Sequence, residues 1–184
     1  RGIAHENAKI EWVDGNIGSK LTMKYPSVIL KGEGSHAEVI SVAYSGNGQH
    51  QDAGAKIHHL ASNTTSKILS KRISKDGGRG SYRGMVTVSP KAENCKLNIV
   101  CDALILDDES RSDTYPTMEV ANSSARCEHE ASVSKVSDDQ LFYLMSSGHT
   151  EEEALALIVN GFFEPFTREL PMEYAVELNK LMAL

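Results

Sequence analysis

Apolar residues in this chain fall in short, partly alternating runs: SVILK (Ser27 to Lys31), KIHHL (Lys56 to Leu60), MVTVS (Met85 to Ser89) and YPTMEV (Tyr115 to Val120). Their length, their alternation and their Val, Ile and Tyr content predict half-buried β-strands. Stretches rich in Gly, Asn, Ser and Asp, such as SGNGQHQDAG (Ser45 to Gly54) and SKDGGRG (Ser74 to Gly80), separate them as turns. A second motif recurs between the runs: a turn-like stretch, then a small, a charged and an apolar residue. It appears as HENAKI, GSHAEV, NTTSKI, AENCKL and NSSARC, with the charged member at Lys9, Glu38, Lys67, Lys96 and Arg126, in steps of 29, 29, 29 and 30. Two short strands per fixed period predict a β-solenoid, because one unit has no way to bury its apolar face until the next stacks on it. An antiparallel sandwich also spaces its strands regularly. It does not require the same triplet five times at equal spacing, so the solenoid is the better reading.

After Val136 the period changes to helical. Ser137-Asp138-Asp139-Gln140 reads as a capping box, followed by Leu141, Phe142, Leu144 and Met145, with Gly148 as a stop. Thr150-Glu151-Glu152-Glu153 repeats the signal. It opens a helix with Ala154, Leu155, Leu157, Ile158 and Phe162 on its apolar side and three glutamates against its N-terminal dipole. Pro171 begins a last helix through Tyr174, Val176, Leu178, Leu181 and Met182. The expected organisation is a β-solenoid over 1–136 and a helical region over 137–184, whose helices either cap the solenoid's open edge or dock a partner.

The balance of 19 basic and 25 acidic residues gives a net charge of −6, and no Lys/Arg stripe suits a phosphate backbone, which argues against nucleic acid as a partner. No apolar run approaches the length of about 18 residues that a membrane span needs, and no secretory leader is evident. The chain opens on Arg1 without methionine, as a fragment or processed piece does. Three cysteines, Cys95, Cys101 and Cys127, are too few and too unevenly placed for a disulfide framework. A reducing, cytoplasmic setting is the expectation, and the sequons at Asn63 and Asn122 are then chance matches. No pair has CxxC spacing, so any metal ligands must come from different coils or another chain.

Several stretches closely resemble the SufB family of iron–sulfur cluster assembly scaffolds: KYPSVILKGEG (24–34), GQHQDAGAK (48–56), SKDGGRGSYRG (74–84), CDALILDDESRSDTYP (101–116), EHEASVSKVSDDQLFYLMSSG (128–148) and ELPMEY (169–174). Together they touch nearly the whole chain. The QLFYL region is shared with the paralogue SufD, whereas Cys101-Asp102 and Glu128-His129-Glu130 look like SufB. The resemblance implies the C-terminal core portion of such a scaffold: a right-handed parallel β-helix with a helical C-terminal region and no catalysis of its own. It further implies a SufC-type ABC ATPase docked on the C-terminal helices, with ATP hydrolysis in that partner. A SufD-type paralogue or a second copy of the chain is expected at the end of the β-helix, and the iron–sulfur cluster itself would be bound only transiently.

By the same resemblance Cys101 is the key residue for cluster assembly and sulfur acceptance. Glu130 is associated with it at the interface between scaffolds, and Glu128 and His129 are its neighbours. Repeat arithmetic gives the pairing a physical sense. A step of 29 carries Cys101 to Glu130 on the next coil, at a strand spacing of about 4.8 Å; the final step of 30 carries it to Ala131 instead and turns Glu130 to the other face. A thiolate ligates iron or accepts persulfide sulfur, and Glu130 with Cys101 would form part of a transient metal site. One cysteine does not hold a cluster, so the site is expected to be shared with a partner or a small thiol. Cys95 and Cys127 read as packing residues, and adjacent His58 and His59 point to opposite faces. The Gly-rich 74–84 loop lacks the order of a phosphate cradle. Two other functions compete: a SufD-like structural partner with Cys101 inert, and a β-helix carbohydrate-active enzyme using the acidic run Asp107-Asp108-Glu109 with Arg111.

Overall fold

The computed structural model describes residues 1–181; Met182, assigned above to the last helix, lies outside the described residues. The strands are β1 (Gly2–Ala4), β2 (Lys9–Ile17), β3 (Leu21–Lys24), β4 (Ser27–Leu30), β5 (His36–Ser45), β6 (His50–Ala53), β7 (Lys56–His59), β8 (Thr65–Ser74), β9 (Arg79–Val88), β10 (Lys96–Ile105), β11 (Arg111–Val120) and β12 (Arg126–Lys135). The helices are α1 (Asp138–Ser146), α2 (Glu151–Thr167) and α3 (Met172–Leu181). Strand pairing is parallel throughout the described residues. One sheet runs β12-β10-β8-β5-β2; the other runs β1-β4-β7-β9-β6-β3, with β11 also paired to β9. The chain therefore climbs as a parallel β-solenoid, each turn laying one rung on each sheet.

The mean rise is about 29 residues, but the rungs are not equal. Lys9 pairs with His36, His36 with Thr65, Thr65 with Lys96 and Lys96 with Arg126, so the offsets are 27, 29, 31 and 30. The small–charged–apolar triplets thus stack less regularly than their spacing suggests. The turn at 89–95 is two residues longer than its counterpart at 60–64, and this lengthens the third step. A shift of two leaves every side chain on its expected face; only the final step of 30 reverses the 29-residue arithmetic. Asn7, Asn63 and Asn94 occupy these turns with φ of +53°, +57° and +52°, a conformation that asparagine tolerates. At the corner before β7, a side chain on Gly54 would begin 1.8 Å from the Arg83 carbonyl oxygen, so close stacking of coils requires glycine there.

Inward residues of the two sheets meet in a lumenal core that includes Val28, Leu30, Val39, Ile57, Ile68, Tyr82, Val86, Leu97, Ile99 and Cys101. The five-stranded sheet is also apolar on its outer face, at Ile40, Val42, Ile73 and Leu104, because helices cover it. Both capping boxes form: Ser137 with Gln140, and Thr150 with Glu153. The buried stripe of α2 is Ala154, Val159, Phe163 and Phe166, with Leu155, Ile158 and Phe162 packed partly buried beside it as expected, while Leu157 faces solvent. Each buried phenylalanine contributes about 2–3 kcal/mol by removal from water. The helices therefore lie along the flank of the solenoid. Its last rungs, β11 and β12, have no further strand beyond them among the described residues.

Candidate functional site

Cys101 sits in the middle of β10, on the lumenal face, and is 1% exposed. Its neighbours in register are Ser70 of β8 below and Ala131 of β12 above. Glu130 is in register with Val100, so the step of 30 governs, and Glu130 lies on the outer face of its strand while Cys101 points inward. Glu128 is on that outer face too, where it accepts a hydrogen bond from the Asn98 amide at 3.0 Å. His129, in register with inward Ile99, shares Cys101's face of the sheet. Of the three residues grouped with Cys101, the fold thus brings only His129 to the same side, one coil higher. Among the described residues, no three His, Cys, Asp or Glu side chains converge into a metal-holding group.

Burial pushes the Cys101 thiol up to about 11; the Tyr82 hydroxyl and the Arg72 guanidinium pull it partly back, and Asp102 adds to the rise. At neutral pH the sulfur is a protonated, sealed thiol. Arg72 and Tyr82 are each 1% exposed, and neither was singled out by the sequence reasoning above. Parity along β8 was the available signal: Arg72 is four residues from buried Ile68 and so must also point inward. Asp102 points outward. It pairs with Lys71 at 3.3 Å and accepts from the Ser132 hydroxyl at 2.6 Å, and the Lys71 ammonium lies 4.4 Å from the centre of the Phe162 ring of α2. The strand carrying Cys101 is thereby tied on its outer side to β8, β12 and the helical region.

The other cysteines differ from each other. Cys95 is fully buried and packs as expected, with its sulfur 3.3 Å from the Thr64 hydroxyl. Cys127 is exposed at the open end, its sulfur 3.6 Å from that of Met118, which corrects the packing reading. His58 and His59 do face oppositely: His59 is buried between the Thr64 and Ser66 hydroxyls, and His58 meets Thr87. The acidic run near Arg111 is occupied by turn-making. Asp107 accepts from the backbone of Asp76, Glu109 and Ser110 and from the Ser110 hydroxyl. Burial opposes its ionisation, yet these bonds hold its carboxyl below the usual range.

The family model described as "SUF system FeS cluster assembly, SufBD core domain" matches residues 1–162. The chain belongs to the SufBD family. Within it, the chain is 62% identical over 182 residues to the iron-sulfur cluster assembly protein SufB of Bacillus subtilis, covering 99% of this chain and 39% of that protein. Iron-sulfur cluster assembly SufBD family proteins of Staphylococcus saprophyticus and Staphylococcus haemolyticus are each 60% identical over the same length. The chain spans 39% of the length of these relatives. No helix among the described residues is long and apolar enough to cross a membrane.

Proposed function

We propose that this SufBD chain is part of a non-catalytic cytoplasmic scaffold on which nascent iron–sulfur clusters are built, with Cys101 receiving sulfur and ligating iron. The observation that carries the reading is the position of Cys101: one rung below the open end, covered on that side by a single edge strand. A second scaffold, either a SufD-type paralogue or another copy, seats against β11 and β12, whose unpaired edges and exposed Tyr115, Met118 and Val133 suit such a contact. Glu128 and Glu130 face outward on β12, where they meet the partner scaffold. His129 is the near member of the set, able to carry a proton for the sulfur or to complete an iron site with partner ligands.

Residues 137–184 act as a docking unit for a SufC-type ATPase, and exposed Phe142 and Tyr143 of α1 are its apolar anchors. ATP-driven pairing of two such ATPases would pull on the helices and, through Phe162, Lys71 and Asp102, on the strand of Cys101. Replacing Phe142 and Tyr143 together with glutamate should release the ATPase; an ATPase that stays bound would contradict the docking role.

The SufD-like reading, with Cys101 inert, draws support from the same burial and the same raised thiol. Anaerobic cluster reconstitution of the assembled complex separates the two. The scaffold reading predicts that Cys101→Ser abolishes the cluster absorbance and bound iron, and that Glu130→Gln lowers both. Wild-type cluster content in Cys101→Ser would establish the inert reading instead.

A further inference from the structure

Arg72 crosses the lumen from β8 to β11, where its Nη2 donates to Thr114 Oγ1 at 3.0 Å and reaches Ser112 Oγ at 3.4 Å. Its Nε and Nη1 are buried with no hydrogen-bond partner among the described residues; the Tyr82 hydroxyl is also buried without one, and is close enough to the Cys101 sulfur to favour its thiolate. The guanidinium carbon lies 5.5 Å from the centre of the Tyr82 ring, which itself lies over Gly84: a Cβ there would fall 2.3 Å from the hydroxyl oxygen. Arg72 has small lumenal neighbours in register, Ala43 below and Ala103 above, which leave room for its head group. Among the described residues no carboxylate forms an ion pair with it, Asp102 and Asp113 acting only at longer range, and its acceptors are two neutral hydroxyls. A buried cation with two idle donors and no paired carboxylate among the described residues is costly to keep. The group on the lumenal face that gains a negative charge in the proposed chemistry is Cys101, two residues along β10 from Ala103.

We propose that Arg72 and Tyr82 form a lumenal anion site for the sulfur carried on Cys101, holding it as a persulfide anion. The inference rests on the sulfur-acceptor role of Cys101 given above and names the residues that receive its product. The step balances without an oxidant. The Cys101 thiol loses its proton, and the thiolate attacks the outer sulfur of a donor persulfide. A new S–S bond forms at Cys101 while the donor's S–S bond breaks, and the donor leaves as a thiolate that takes up the proton. With the donor counted as its persulfide anion, charge is conserved, and Cys101 then carries a terminal sulfur with one negative charge. The idle Nε–H, Nη1–H and O–H donors match that charge, and charge-assisted bonds of this kind are about twice as strong as neutral ones.

The test uses the full-length scaffold in its assembled complex, with glutathione persulfide as donor under anaerobic conditions. The persulfide on the Cys101 peptide is quantified by mass spectrometry after the donor is removed. Arg72→Met should shorten persulfide retention about tenfold and Tyr82→Phe about threefold, with Arg72→Lys between them, as expected for lost charged and neutral donors. Iodoacetamide labelling of the unloaded thiol should not slow in these variants, so the loss would be of retention and not of access. Wild-type retention in folded Arg72→Lys and Tyr82→Phe would overturn the site, even if Arg72→Met failed to fold. Such a result would leave the scaffold role intact, because that role stands or falls with Cys101→Ser reconstitution.

Discussion

β10 and β12 are neighbouring rungs of equal length, and their lumenal residues alternate alike: Leu97, Ile99, Cys101 and Ala103 in one, Cys127, His129, Ala131 and Val133 in the other. The first set is buried and the second exposed. Nothing in the local pattern separates them. What differs is that β10 lies between β8 and β12, while among the described residues β12 has a neighbour on one side only. In a solenoid, burial is a property of stacking order, and a reactive residue one rung from the end is sealed or open according to what sits on that end.

The contrast breaks most visibly in stability. Ile68→Ala, in an inner rung, should cost about 3–4 kcal/mol in chemical denaturation, whereas Val133→Ala, on the terminal rung, should cost less than about 1 kcal/mol. Equal costs would mean that the end is covered within the chain itself.

Acid should sharpen the same divide. His59, on an inner rung, is held down to about 4 by burial, with the neighbouring charge of His58 adding to the effect. The unfolded chain therefore binds the extra proton first as pH falls below 6.5. Stability present above that pH should decline by about 3 kcal/mol by pH 4, and His59→Gln should flatten the slope in pH-dependent unfolding.

Thiol chemistry gives the next test. In the folded chain Cys127 should react with iodoacetamide about a hundredfold faster than Cys101 at pH 8, because Cys101 is both sealed and protonated, and the ratio should collapse in urea. The smallest effect concerns the tie between the two rungs. Ser132→Ala removes the hydroxyl that donates to Asp102 and should cost about 1 kcal/mol, while raising hydrogen exchange along β12.

Much of this architecture was legible from residues alone. Strand content, the mean rise and both capping boxes follow from alternation, turn chemistry and Ser/Thr-x-x-Glu/Gln spacing. The register of single rungs was less so, since turns such as 89–95 absorb residues without marking it in the strands. Cys101 and the Glu128-His129-Glu130 triplet stood out by resemblance, but facing was decided by one residue in the last step. Glu130 went to the outer side and His129 to the lumen. Arg72 and Tyr82 escaped notice because an arginine in a polar-looking strand reads as solvated until the opposite sheet is known to close over it. The buried side of α2 extends past the expected residues to Val159, Phe163 and Phe166 for a related reason: the groove it fills is made by outward Ile40, Val42, Ile73 and Leu104, residues that alternation alone does not mark as a second apolar face.

The most direct test is the labelling rate of Cys101 in the assembled scaffold–ATPase complex, with and without ATP. Slow labelling in the resting complex, accelerated at least about tenfold by ATP while Cys95 stays protected, is the expected result. Labelling that is fast at rest, or unchanged by ATP in a complex that still assembles clusters, would contradict a sulfur site opened at the end of the solenoid.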